Sequence, residues 1–123
     1  MTFAYWMILV AALLPYATVR LARNGVRIDN RAPRPSAEKL KGWRKRADWA
    51  HRNHFEAFAP FAAAVIVAEL AHAPQNRIDL LAGAFILLRL AFTALYIADK
   101  PAGRSVVFGL GLLCVVALFV IAA

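Results

Sequence analysis

Residues 105–123 read Ser-Val-Val-Phe-Gly-Leu-Gly-Leu-Leu-Cys-Val-Val-Ala-Leu-Phe-Val-Ile-Ala-Ala, nineteen consecutive positions without a charged side chain. As a helix this stretch is about 28 Å long at 1.5 Å per residue. A hydrocarbon core about 30 Å thick needs about 20 apolar residues, and about 17 at the least. The stretch therefore predicts a membrane span, and three more runs of the same kind lie upstream at 3–22, 55–73 and 78–98. The expected fold class is all-α and integral to the membrane: a four-transmembrane-helix up-down bundle forming one domain over residues 1–123. Composition agrees, since 62% of the residues are hydrophobic, against about 45–50% in soluble domains.

The connections fix the order of the spans. Ala73 to Arg77 is a tight turn through Pro74-Gln75-Asn76, and Ala98 to Arg104 contains Pro101 and Gly103. Short links force antiparallel neighbours. The first link is longer and carries Asn24-Gly25, Pro33 and Pro35. It reads as an irregular loop that leads, from about Ser36 with Glu38 in the first turn, into a basic amphipathic helix continuous with the second span.

Charge is unevenly placed. The chain is formally +8, and 11 of its 15 Lys and Arg lie between Arg20 and Arg52. In a soluble protein such a balance points to nucleic acid, but one basic loop between apolar spans is an orientation signal and an attractor of anionic lipid headgroups. No nucleic-acid partner is expected. The positive-inside rule places the basic loop 23–54 and the Lys100/Arg104 turn in the cytoplasm, with both termini on the non-cytoplasmic side of this multi-pass protein. The first twenty residues have no basic residue before the apolar run and a basic cluster after it, which suits a retained span better than a cleaved signal.

Ionisable groups inside spans cost roughly 2.5–3.5 kcal/mol at mid-membrane, so each calls for a reason. At 100° per residue Arg46, Trp49, Asn53, Glu56 and Pro60 fall in a sector of about 80°, one polar stripe entering the membrane from the cytoplasmic end. Arg89 and Tyr96, seven apart, share a face of the third span with Thr93 beside them. Arg89 has no acidic residue one turn away, and Glu56 is the expected partner on another helix. Two readings stay open: a structural ion pair that fixes helix register, or a polar pocket for a zwitterionic or anionic ligand. Glu69 falls on the opposite face near the outer interface, with His72 close by. His51 and His54 have no third ligand nearby in sequence, so no metal site is expected. Cys114 reads as a small buried hydrophobe, Pro15 and Pro60 as kinks relieved by neighbouring helices, and Gly109-Leu-Gly111 as close helix packing.

The segment Ala50-His51-Arg52-Asn53-His54-Phe55-Glu56, followed by Pro60-Phe61, resembles the Arg-Ala-His-x-Asn-x-x-Glu segment of the MAPEG superfamily, the membrane-associated proteins of eicosanoid and glutathione metabolism. Val19-Arg20-Leu21 is similar to the family's arginine ending the first span, Arg89 with Tyr96 to its Arg-x6-Tyr, and Arg104-Ser105 to the opening of the fourth span in prostaglandin E synthase-like members. Trp49 stands where the family often has arginine, leaving Arg46 as the nearest one. The resemblance covers the whole chain. It implies a homotrimer with glutathione sites between subunits near the cytoplasmic face. Arg20, Arg46, Asn53, Glu56, Arg89 and Tyr96 would hold the tripeptide, and Arg104 and Ser105 would sit at its sulfur. The implied function is a glutathione-dependent transferase or peroxidase acting on lipophilic small molecules such as electrophiles or lipid hydroperoxides, with glutathione as co-substrate. The alternative is a non-catalytic member that binds a lipid or a partner protein.

Overall fold

A computed structural model describes residues 1–123. It contains four long helices and one short one: α1 (Phe3–Arg23), α2 (Pro33–Glu38), α3 (Gly42–Leu70), α4 (Gln75–Ile97) and α5 (Pro101–Ala122). Three of them, α1, α4 and α5, are long and apolar enough to cross a membrane. The remaining long helix, α3, has 29 residues and carries charged groups through its first half. Its apolar part ends at Leu70, short of the expected 73.

The helices end where local chemistry stops them. After α3, His72 adopts φ 54°, and after α4, Asp99 adopts φ 58°. Each left-handed residue turns the chain so that the next amide bonds back, Ala73 to the carbonyl of Ala68 and Lys100 to that of Leu95. These are Schellman closures, and Pro74 and Pro101 follow directly, preventing continuation. Gly103 is consequently helical and lies in α5, its missing Cβ position 3.4 Å from Leu95.

The expected continuous helix from Ser36 into the second span is corrected. Pro33 instead starts the separate six-residue α2, and Gly42, at φ 61°, takes a left-handed conformation that breaks any helix running through it. Ser36 does not cap α3; its hydroxyl accepts from the Asp29 amide at 3.3 Å.

α1 packs mainly on α3, and α4 on α5, with α3 also touching both α4 and α5 and α1 touching α4. The buried faces of α1 and α3 are rich in small residues: Ala4, Ala11, Pro15, Thr18 and Ala22 on α1, and Ala47, Ala50, Ala64 and Ala68 on α3. Inside a membrane no hydrophobic force drives helices together, so close backbone approach at small side chains is what gains dispersion energy. Phe61 and Phe85 stack at the centre with ring centroids 4.0 Å apart and planes 5° from parallel.

The basic residues at the start of α3 have structural employment. Arg44 donates to the carbonyl of Ala22 at 3.2 Å and also to that of Asn24, while Arg46 donates through Nε and Nη2 to the carbonyl of Ile97 at 3.1 and 3.0 Å. Two cations thus cover the C-terminal ends of α1 and α4, where unpaired carbonyls and the helix dipole favour positive charge. Glu38 ties α2 to α3 through Arg52 and Lys45, and these cations hold its carboxyl below the usual carboxylate range. Asp48, 1% exposed, lies 3.2 Å from Arg52, although its Oδ2 makes no aligned hydrogen bond. His51 meets the carbonyl of Pro15 at 2.7 Å. Because a carbonyl only accepts, Nδ1 carries the proton, and burial pushes the ring's pKa down.

At the opposite end Thr2 donates to Glu69, Gln75 bridges Glu69 and Asp79 at 3.1 and 2.9 Å, and the Ala4 amide donates to Asp79 at 3.0 Å. Glu69 is therefore satisfied by Thr2 and Gln75, not by His72.

Candidate functional site

α3 presents two adjacent stripes. Ala47, Ala50, His54, Phe61 and Ala68 point to the core. Asn53, Glu56, Ala57 and Pro60 lie one step round the helix and line a cleft of about 170 Å³ shared with α4 and α5. Its α4 wall is Phe85 and Arg89, and its α5 wall is Phe108, Gly111, Leu112 and Val115. Its lining is polar toward the end formed by Asn53, Glu56 and Arg89 and apolar along the rest.

Arg89 is 4% exposed, and a desolvated guanidinium needs acceptors. The sequence-level expectation of a direct pair with Glu56 is corrected here. The Nη2 of Arg89 donates to Asn53 Oδ1 at 2.8 Å, and Asn53 Nδ2 donates in turn to Glu56 Oε2 at 3.0 Å. Asparagine has an acceptor and a donor on one amide, so it relays between the cation and the anion without inverting either. Glu56 itself remains exposed. Arg89 Nε donates to His54 Nδ1 at 3.2 Å, with Nη2 2.9 Å from the same nitrogen. The guanidinium lies 4.3 Å over the ring of Phe92. Nη1 makes no bond within the chain, and Arg89 lines the cleft, so one donor edge is available to a ligand.

Two shallower depressions adjoin the cleft through Asn53. One is lined by Asn53, Phe92, Tyr96, Arg104, Ser105 and Phe108; the other by Trp49, Arg52, Asn53, Glu56 and Tyr96. Tyr96 sits between them, 6.3 Å from Trp49 and 5.4 Å from Phe92. The Arg104 guanidinium lies 4.3 Å over the Tyr96 ring. It reaches this place because Pro101 opens α5 and puts Arg104 in its first turn.

Asn53, Glu56, Arg89, Tyr96, Arg104 and Ser105 are thus brought together by α3, α4 and α5 within one chain. Arg46 is engaged with Ile97 at the rim. Arg20 is exposed on α1 and lines none of the three depressions. The sequence was read for His54 only as a metal ligand, and Phe92, Phe108 and the packing of Trp49 on Tyr96 drew no notice. For His54 a signal existed: it stands seven residues after Ala47 and seven before Phe61, in phase with the buried face, and a polar ring in that phase must have a partner. No group of His, Cys, Asp and Glu is arranged to hold a metal ion.

Apolar helices of spanning length, with a charged relay between helices beside a largely apolar cleft, are the features of an integral membrane protein. The chain belongs to the MAPEG family, which it matches over residues 3–123. Membership places it generally among membrane proteins of glutathione and eicosanoid metabolism. Neither curated proteins nor solved structures gave a match to the chain.

Proposed function

We propose that the protein is a glutathione-dependent membrane transferase or peroxidase acting on lipophilic electrophiles or lipid hydroperoxides. The observation that carries the reading is the Glu56–Asn53–Arg89 relay at the mouth of an apolar cleft, with Arg104 and Ser105 on the same side. Glutathione has two carboxylates and an ammonium. The free edge of Arg89 suits a carboxylate, Glu56 suits the ammonium, and Asn53 and Tyr96 add neutral contacts. A free thiol of pKa about 8.5 is mostly protonated at neutral pH, and a guanidinium beside the sulfur favours the thiolate. That sulfur attacks an electrophilic carbon held in the apolar part, forming the C–S bond while the leaving group departs with its electron pair. With a hydroperoxide the thiolate attacks the terminal oxygen, the O–O bond breaks, the alcohol leaves, and a second glutathione reduces the sulfenic acid.

In this reading α3 supplies the second of four spans in a single membrane domain. Its 29 residues extend about 43 Å at 1.5 Å per residue, enough to keep its charged first turns among the headgroups while 55–70 crosses the apolar layer. The basic segment 23–54 and the Lys100/Arg104 turn then face the cytoplasm, and both termini face the other side. Reporter fusions at Ala123 are expected to be active only outside the cytoplasm; activity confined to the cytoplasm would reverse the topology.

A homotrimer, typical of the family, supplies what one chain leaves out, because Arg20 on the outer side of α1 can meet a neighbour's cleft. Calorimetric titration of the detergent-purified protein with glutathione tests the site, and mixed assemblies test the sharing. Arg20→Ala homotrimers should bind about tenfold more weakly and Glu56→Gln homotrimers about 10- to 100-fold more weakly, while co-expressed mixtures regain a tight class of sites built from Arg20 of one chain and Glu56 of another. No binding by the wild type rejects the functional reading in favour of a lipid- or partner-binding member. Mixtures that regain nothing reject the shared site.

A further inference from the structure

We propose that His54 is a positioning residue, held as the neutral Nε2–H tautomer, that aims Arg89 into the cleft. The proposal rests on the reading of Arg89 as a ligand of a glutathione carboxylate. Four hydrogen-bonding groups form a closed ring in which each donor direction is forced. Thr93 Oγ1 lies 3.1 Å from the carbonyl of Arg89, and since a carbonyl only accepts, the threonine hydroxyl proton is used there. The same hydroxyl is 2.7 Å from His54 Nε2 and must accept, so Nε2 carries the ring proton. That leaves Nδ1 with a lone pair, which faces Nε and Nη2 of Arg89 at 3.2 and 2.9 Å. A doubly protonated ring would set its Nδ1–H against the guanidinium and lose both contacts with Arg89, although Nε2–H could still donate to Thr93.

The surroundings enforce the arrangement. His54 is 3% exposed and Arg89 4%; Phe92 meets the imidazole edge-on at 6.3 Å and lies under the guanidinium. The charged groups near the ring are Arg89 on α4 and, through Asn53, Glu56 on α3, with the neutral-bonded His51 one turn away and turned to Pro15. Without His54, Arg89 would keep only its Asn53 bond and could swing about it. With His54, two of its nitrogens are fixed and Nη1 alone is left without a partner in the chain. His54 touches neither substrate in this arrangement and acts through Arg89.

Two substitutions divide the ring. Asn places an oxygen near the Nδ1 position and can still accept from Arg89; Gln places an amide near Nε2 and can still donate to Thr93, leaving Arg89 Nε without its acceptor. His54→Asn should bind glutathione within about twofold of wild type, whereas His54→Gln should bind about tenfold more weakly, with a raised KM for glutathione and little change in kcat at saturation. Two-bond 1H–15N spectra of histidine-labelled, ligand-free protein should report the Nε2–H form for His54. Equal losses in both variants, or a change in kcat alone, would indicate a merely structural residue and overturn the proposal. So would an Nδ1–H or cationic His54 ring. Absence of glutathione binding by the wild type rejects the functional reading and the positioning role together, while wild-type binding with indistinguishable variants rejects the positioning role alone.

Discussion

Arg104→Ala is expected to lower turnover by about 10²-fold, the order of effect seen when one preorganised donor to a developing or resident anion is removed, while leaving most glutathione affinity in place. The reason is geometric. Arg104 stands in the first turn of α5 with its guanidinium 4.3 Å over Tyr96, beside Ser105 and across from Asn53, whereas the polar contacts that would hold the tripeptide come from Arg89, Asn53 and Glu56. A cation beside the sulfur acts on its ionisation, so removing it should raise the apparent pKa of bound thiol. Ultraviolet thiolate absorbance, titrated against pH on wild type and variant saturated with glutathione, measures that directly, beside turnover of a generic aryl halide. Arg104→Lys should restore part of the thiolate signal, because it keeps the charge and loses the flat stacking on Tyr96. If the wild type forms no thiolate at about pH 7–8, or if its turnover survives Arg104→Ala, Arg104 has no part in the chemistry.

Glu56→Gln and Arg89→Leu should fail in opposite ways. Glu56 is exposed and bonded only to Asn53, and glutamine retains an oxygen for that bond. Stability and assembly should stay within about 0.5 kcal/mol of wild type, while glutathione affinity falls by about 1.5–3 kcal/mol through the lost charged contact. Arg89 is buried and satisfies Asn53 and His54 together. Its removal leaves the buried His54 Nδ1 without a donor and Asn53 Oδ1 open to the cleft, a loss of about 1–3 kcal/mol expected for an unsatisfied buried polar group. Reversible unfolding in mixed detergent micelles and calorimetry, run on both variants, separate the two. A large stability loss in Glu56→Gln would mean that the carboxylate partners Arg89 after all. An Arg89→Leu protein as stable as wild type would show the relay to be energetically idle.

How much of this was readable from residues follows from the range of each signal. The apolar runs were legible because helix length against bilayer thickness is a local count, and the ends of α3 and α4 were marked by Pro74 and Pro101. The break between α2 and α3 was not, because Gly42 takes a left-handed φ that no periodicity announces. Nor were the tasks of Arg44 and Arg46 visible. In sequence they are two more charges in a basic loop, and their carbonyl acceptors belong to α1 and α4.

The polar stripe of Asn53 and Glu56 and the seven-residue spacing of Arg89 and Tyr96 were determined by the sequence itself, since helical periodicity alone decides which side chains share a face. So were the positions that call for a partner or a ligand, because intramembrane charge is too costly to stand alone. Which partner each charge takes was decided only by tertiary structure. Glu56 and Arg89 carry complementary charges and look like a pair, yet the relative rotation of α3 and α4 puts Asn53 and His54 against the guanidinium and leaves Glu56 at the mouth. Helical phase fixes the faces within one helix. The rotation of one helix against the next is set by the sum of many small contacts along alanine-lined seams, and no single residue in the chain encodes it.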